Sequence, residues 1–544
     1  MTSPDPQPAR RTAASPRTRI VLAGLGVVMC LLPALAATAG SHPSTYRQVP
    51  LAAGAAAPAG SDTGSAAAPV TTTTTTGSAA PGGAGLPTTG PGGVTAPAPV
   101  GTAAAPASGP SGIAQATGGP GALPTRIGSS TRPTAACGAA VKVGFSYPTD
   151  VAAAGAAVGN PDPKAAAAAP GGDNFKASIQ AAVDYVNKRG GLAGCAIQPV
   201  WFPFKIATGD FVTESQQECA TDTQDNHVVA AIPLSWEDQT MITCLAAAHV
   251  PVVWGVNINT QVDQSAADRY PGIVYMPWAV AGERMTPFMD YLSRAGYFDP
   301  GAKVGIVLPA DSALGSSIRL WNQQWKPALA AMHVNVVATF TYAQRETNES
   351  QGASDIAQYS SSAVLQFKTK GVDHVIFVPG GASAFGFIPA AKSQEFHPRY
   401  ALFSDDFPGL ATITGASELK GAVAVGWIQS LDAVPTSDIT QNLSRGLCDA
   451  IMKGQSGLGN GGSYYLCDGL FLLQQAWRGA TALTPATLAS GVAKIGNGFV
   501  SSATLGPTRL RSGLFDGDSI VRMATFDADA NTWRYSGPPI ALPS

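Results

Sequence analysis

The 544-residue sequence predicts an α/β chain of two Rossmann-like lobes, each a parallel sheet with helices on both faces, behind a disordered linker. Three observations predict it. From Val141 onward, short apolar runs alternate with amphipathic helical stretches, the βαβ rhythm of a parallel sheet. The alternation runs through two successive series, with a crossing near Pro277. Finally, roughly 400 residues of ordinary globular composition exceed what one compact core holds.

The first series reads as strand Val141–Tyr147, helix Asn174–Arg189, strand Ala196–Phe202, helix Val212–Thr221, strand Val228–Ile232, helix Gln239–Ala248, and strands Val252–Trp254 and Ile273–Met276. Phe175, Ile179, Ala182, Val183 and Val186 form one apolar stripe on the first helix, and Gly190-Gly191 ends it. After a helix Glu283–Ala295, the second series places strands at Val304–Leu308, Asn335–Thr341, His374–Val378, Tyr400–Phe403 and Ala422–Gly426. Helices Ser316–Met332, Asp355–Lys370 and Ser383–Lys392 lie between them. Helices Ile439–Met452, Tyr464–Ala480 and Pro485–Ile495 follow, and Ser519–Ser536 reads as a hairpin turning at Asp527–Asn531. Gly457–Gly462 has no strand before it and reads as a flexible loop.

Residues 1–39 form an export leader. Arg10, Arg11, Arg17 and Arg19 precede an uncharged apolar run from Ile20 to Ala39, which ends in the small triplet Ala37-Thr38-Ala39. The run is either a signal peptide removed on export or a retained membrane anchor. Residues 40–136 are a linker dominated by Ala, Gly, Pro, Thr and Ser, with six threonines at 71–76. Such a composition buries too little apolar area to offset its ordering entropy, and as a flexible coil it reaches on the order of 50 Å. A formal net charge of −2, with 12% charged residues, gives no electrostatic case for nucleic acid. Cys30 lies in the leader; the other six cysteines, with no CxxC spacing and no histidine beside them, suit disulfides outside the cytoplasm.

Several stretches carry a family resemblance. Lys142-Val143-Gly144-Phe145-Ser146 and Ala182-Val183-Asp184-Tyr185-Val186-Asn187-Lys188-Arg189-Gly190-Gly191-Leu192-Ala193-Gly194 resemble the opening of branched-chain amino-acid-type (Leu/Ile/Val-binding-protein-like) substrate-binding proteins of ABC transporters. Lys303-Val304-Gly305-Ile306-Val307, Asp311 with Gly315, Gly371–Phe377 and Gly421–Trp427 resemble later strands of that family, in order. The resemblance spans about Val141 to Tyr535. It implies a type I periplasmic-binding-protein fold, with two lobes, a three-crossing hinge and a cleft between. In this chain it implies a first lobe of about residues 137–278 and 434–505 and a second of about 279–433 and 506–544. That layout implies sequential disulfides, Cys137–Cys195, Cys219–Cys244 and Cys448–Cys467. The last is worth about 3 kcal/mol in the chain-entropy model.

Ligands of open α/β sheets bind beyond the carboxyl ends of the strands. The positions there give a candidate ligand set of Tyr147, Ser235, Trp236, Asn257, Asp311, Gly380, Ser383, Asp406, Phe407 and Trp427. Aromatics mixed with hydroxyls, an amide and carboxylates suit a small, partly apolar molecule held by a few directed hydrogen bonds. The resemblance further implies that Asp406 stands near the family's ammonium-binding acid and Ser235 near a carboxylate-binding hydroxyl. The chain departs from the family pattern at Trp254-Gly255-Val256-Asn257, where Ala-Thr is expected, and at Ala382, where an aromatic is expected. The ligand's identity is therefore open.

No enzyme motif competes. Gly381-Ala382-Ser383-Ala384-Phe385 breaks the GxSxG pattern at its last position, and neither HExxH nor a Walker loop occurs. His227, His249, His333, His374 and His397 are scattered before strands or at turns and read as structural. No catalytic residue, metal or cofactor is expected. The expected role is a monomeric solute-binding protein that serves an ABC permease in the membrane. A surface sensor signalling to a membrane partner is the alternative, and an extracellular enzyme ranks behind both.

Overall fold

The computed structural model describes residues 140–150, 172–206, 209–234, 239–253, 268–275, 281–310, 317–342, 352–378, 383–455, 459–510 and 517–542. The leader, the linker and Cys137 lie outside them, as does the Ala-rich insert Val151–Pro170.

The first sheet holds β1 (Ala140–Pro148), β2 (Ala196–Phe204), β3 (Ala230–Ile232), β4 (Val252–Val253) and β5 (Val274–Tyr275), in the order β2-β1-β3-β4-β5. Every pairing is parallel. A central parallel strand is covered on both faces, and β1 is accordingly buried continuously from Val143 to Pro148. Helix Gly172–Asn187 covers it with the predicted stripe, Phe175, Ile179, Ala182, Val183 and Val186, all buried. Each of the four larger side chains contributes about 2 kcal/mol by leaving water. Gly191 then turns back at φ +58, where a Cβ would run into the Cys195 carbonyl, so only glycine fits.

The second sheet holds β6 (Lys303–Pro309), β7 (Asn335–Tyr342), β8 (His374–Phe377), β9 (Arg399–Phe403), β10 (Val423–Gly426), β11 (Ile520–Asp527) and β12 (Thr532–Ala541). Its order is β12-β11-β10-β9-β8-β6-β7. The first five strands pair in parallel, and the terminal hairpin adds antiparallel to β10. Two mainly parallel sheets in a doubly wound order are what the alternation predicted.

The elements depart from expectation where side chains cap or interrupt them. The helix expected from Ile439 starts at Leu443, because the Asn442 side chain accepts from Arg445 N–H as its N-cap. Thr440 N–H meanwhile donates to Gln429 Oε1. The glycine-rich stretch read as a loop is corrected in part: Gly459 already opens helix Gly459–Ala476. That helix lies on the first sheet. A Cβ at Gly469 would stand 3.0 Å from Ile232 of β3, and the missing side chain lets helix and strand approach. The expected helix Ser316–Met332 contains a π-helical turn, Trp321–Trp325, that turns both indoles inward. Helix Pro408–Gly415, opened by proline at its first position, had no expectation attached to it.

His249 and His333 take φ of +56° and +57° just before β4 and β7. Each follows a helix whose last carbonyls receive the closing pair of bonds usual where glycine ends a helix. This fits the structural reading of these histidines. Two of the expected disulfides are present, Cys219–Cys244 between consecutive helices and Cys448–Cys467. Cys195 is disulfide-bonded as well.

Candidate functional site

The site is built from the carboxyl ends of strands and from the segments that carry the chain between the two sheets. In the first lobe, Ser146 is wholly buried near the end of β1, and its Oγ accepts from Leu234 N–H at 3.0 Å, tying the exits of β1 and β3 together. Tyr147 follows. Its ring meets Trp201 edge-on at 6.3 Å, and the Lys176 ammonium lies 5.1 Å from its centroid.

In the second lobe, β9 ends in a tight 3₁₀ turn, Ser404–Asp406, leading to Phe407. Asp406 is wholly buried, and its Oδ2 accepts from Phe403 N–H at 2.9 Å. Burial, followed by the nearby Asp405 charge, pushes its carboxyl well above the usual range, while the Phe403 bond opposes the shift. Phe407 adopts the left-handed conformation at φ +52°, which costs a side-chain-bearing residue about 1–2 kcal/mol. Its N–H closes the turn onto Ser404 O, and Pro408 then starts a helix that fixes it from the other side.

Trp427 follows β10 and is also wholly buried. It stacks on Phe288 with centroids 5.1 Å apart, and Phe288 stacks in turn on Phe403. The Trp427 backbone N–H donates to Ser404 Oγ at 2.7 Å. Of the candidate ligand residues, Asp406, Phe407 and Trp427 are thus gathered around one turn, and Tyr147 stands at the end of the other sheet. Ser235, Trp236, Asn257, Asp311 and Gly380 lie outside the described residues, and Ser383 is described only as the backbone that opens helix Ser383–Ser393.

Sequence reasoning missed the polar groups that organise this turn. Ser404 Oγ accepts from both Trp427 N–H and Ile428 N–H and is 2.7 Å from Asp432 Oδ1. The Tyr535 hydroxyl of β12 is 2.5 Å from Asp432 Oδ2. Burial pushes the Asp432 carboxyl up to about 7, against the opposing hydrogen bonds of Tyr535 and Ser404.

A second cluster holds the segment 499–508. Buried Arg445 donates to the Ser502 and Ala503 carbonyls at 2.7 and 3.0 Å. Asp468 accepts from the Ser501 hydroxyl and from Ser502 and Ala503 N–H. Its carboxyl is pushed up to about 6 by burial, despite those bonds. Ile428 and Thr504 form an antiparallel bridge, so the two linking segments run side by side. The one sequence signal for these groups was polar residues interrupting apolar helix faces, Asp468 above all.

Among the described residues, no group of His, Cys, Asp and Glu is arranged to hold a metal ion. No helix among them is long and apolar enough to cross a membrane.

Comparison with known proteins agrees with this architecture. A substrate-binding periplasmic protein from Ralstonia solanacearum superposes with a TM-score of 0.51 at 13% identity, over 73% of this chain and 100% of that one. A branched-chain amino acid ABC transporter protein from Thermus thermophilus with bound valine gives 0.49 at 11% identity, over 74% and 97%. The leucine-binding protein from Thermotoga maritima also gives 0.49 at 11% identity, over 74% and 98%. No curated protein matches the sequence. At 13% identity the likeness to the Ralstonia protein speaks for the fold alone, but a family model of periplasmic binding proteins matches residues 156–524, well over half of the chain. The chain belongs to the periplasmic binding protein family.

Proposed function

We propose that this protein is an exported, extracellular solute-binding protein. It captures one small, partly apolar molecule between its lobes, closes on it unaltered, and presents it as a monomer to an ABC permease. The observation that carries the reading is the sharing of Ser404 Oγ. This one buried hydroxyl joins the turn at the end of β9 to the segment leaving β10, at Trp427 and Ile428. A contact made at the turn is therefore transmitted to a segment that links the lobes, as a receptor that closes on its ligand requires.

The lobes are taken as residues 137–278 with 434–505, and 279–433 with 506–544. The placement of helix Gly459–Ala476 against β3 and of β11–β12 beside β10 supports that division. Tyr147, Ser235, Trp236, Asn257 and Asp311 with Gly380, Ser383, Asp406, Phe407 and Trp427 line the cleft. The leader directs the domain out of the cytoplasm, either cleaved on export or retained as an anchor.

Native mass spectrometry of protein purified without denaturant should find one small molecule per chain. Adding that molecule back to stripped protein should reduce the radius of gyration in scattering. Binding without any change in dimensions would remove the closure reading, and consumption of the molecule would make the protein an enzyme.

A further inference from the structure

Asp432 occupies a built position. Its two oxygens are engaged by groups from two other segments, Ser404 from the end of β9 and Tyr535 from β12, and its own N–H donates to Ile428 O. Space for it exists only because residue 426 is glycine: a Cβ there would overlap Asp432 Oδ2 and stand 2.9 Å from Tyr535 Cε1. Ser404 Oγ already accepts two backbone N–H groups, so its single proton must point to Asp432.

We propose that Asp432 is a protonatable positioning residue: carrying its proton, it locks the turn Ser404–Phe407, the segment Trp427–Asp432 and the terminal hairpin into one unit. Loss of that proton releases the turn and lowers affinity for the captured solute. The effect on affinity rests on the interlobe reading above; the lock itself does not.

The proton balance is simple. In the neutral form Oδ2 carries the acid proton and donates it to the Tyr535 oxygen, whose own proton turns away from the carboxyl, and Ser404 donates to Oδ1. In the ionised form that proton has gone to solvent, and Tyr535 donates to Oδ2.

The surrounding charges do not settle the anion. From the hairpin, the Arg522 guanidinium lies 4.8 Å from the Tyr535 ring centroid, over the ring rather than against the carboxyl. From helix Leu443–Ile451, Arg445 is committed to the Ser502 and Ala503 carbonyls. The turn contributes Asp405 and Asp406, and helix Gly459–Ala476 contributes Tyr465 and Asp468; the carboxyls among these add only negative charge. A buried carboxylate without a contacting cation is costly, and the cost is relieved by letting water into the turn. With the carboxyl raised from its ordinary range to about 7, the lock weakens progressively between those values, and the loss is complete just above neutral pH.

The test uses the full chain without any added solute. Hydrogen exchange of the peptide covering Trp427 and Ile428 is followed from pH 5.5 to 8.5, normalised to the β8 peptide to remove the intrinsic pH dependence. In the parent protein the normalised protection should fall about tenfold per pH unit as the pH rises from 5.5 toward the midpoint near 7, and level off above it. In Asp432→Asn, which keeps a neutral hydrogen-bonding group, it should stay flat. Should that variant not fold, Tyr535→Phe serves: it removes a bond that favours the anion, so the midpoint should move to higher pH. A flat parent profile, an unchanged step in Asp432→Asn, or an unmoved midpoint in Tyr535→Phe overturns the lock. A step that survives while no solute is ever found between the lobes leaves the lock standing and sinks the interlobe reading instead.

Discussion

The sheet interiors and the linking segments of this protein are built on opposite principles. Within the sheets, β3 and β10 are apolar and closed to water, and their polar groups are spent on the backbone ladders. In and against the linking segments, Asp432, Ser501 and, from neighbouring helices, Arg445 and Asp468 are just as deeply buried, yet they are polar or ionisable, and each holds backbone or another side chain by hydrogen bonds. An apolar core is insensitive to position at the scale of a hydrogen bond, whereas a buried carboxyl is satisfied in only one arrangement. The sheets are thus made stable and the linking segments made specific, by different chemistry in one chain.

The largest effect at a polar group that could break this contrast is expected at Asp468. Alanine there leaves the Ser501 hydroxyl and the Ser502 N–H without their acceptor in a dry site, while Ala503 N–H keeps Ser501 Oγ. The expected loss is about 3 kcal/mol, read by urea unfolding, with Asp468→Asn losing less because its carbonyl still accepts. A loss below that of an ordinary surface substitution would show that the linking segments do not depend on their polar groups. The next effect concerns the covalent brace beside the same helix. Cys448–Cys467 closes a sequence separation of 19 residues. Replacing both cysteines by serine should cost about 3 kcal/mol at most, since residual structure in the unfolded chain reduces the entropic gain. Thiol titration of the unreduced, unfolded domain should find neither Cys448 nor Cys467 free.

How much of this was legible in the sequence follows the same division. The strands and helices of both sheets announced themselves by period, because Phe175, Ile179 and Val183 or Val304 and Ile306 answer to local geometry and burial alone. The helix end at Gly191 was legible because a left-handed turn has few residue solutions. By contrast, Ser404, Asp432 and Tyr535 stand 28 and 103 residues apart along the chain, and no local pattern links them. Asp406 and Trp427 were singled out from their places after strands, but the hydroxyl that joins their segments was not. The helix start at Leu443 was misplaced for a related reason: the competing partner of Thr440 N–H is Gln429, reached only through tertiary contact.

The smallest expected effect sharpens the comparison at Trp427, where an apolar stack and a polar joint meet in one residue. The indole stacks on Phe288, while its Nε1–H finds no acceptor among the described residues. The polar joint is made by the backbone N–H, which any residue supplies. Trp427→Phe therefore keeps both the stack and the bond to Ser404, loses some ring volume and removes an unsatisfied donor. These changes oppose each other, so the net cost should be about 1 kcal/mol or less. Trp427→Ala keeps the backbone bond but empties the stack, and should cost about 3–5 kcal/mol. The two variants separate the contributions in one thermal-unfolding series. If phenylalanine costs as much as alanine, the indole nitrogen has a polar partner in the folded protein, and Trp427 belongs with the hydrogen-bonded linking segments rather than with the apolar core.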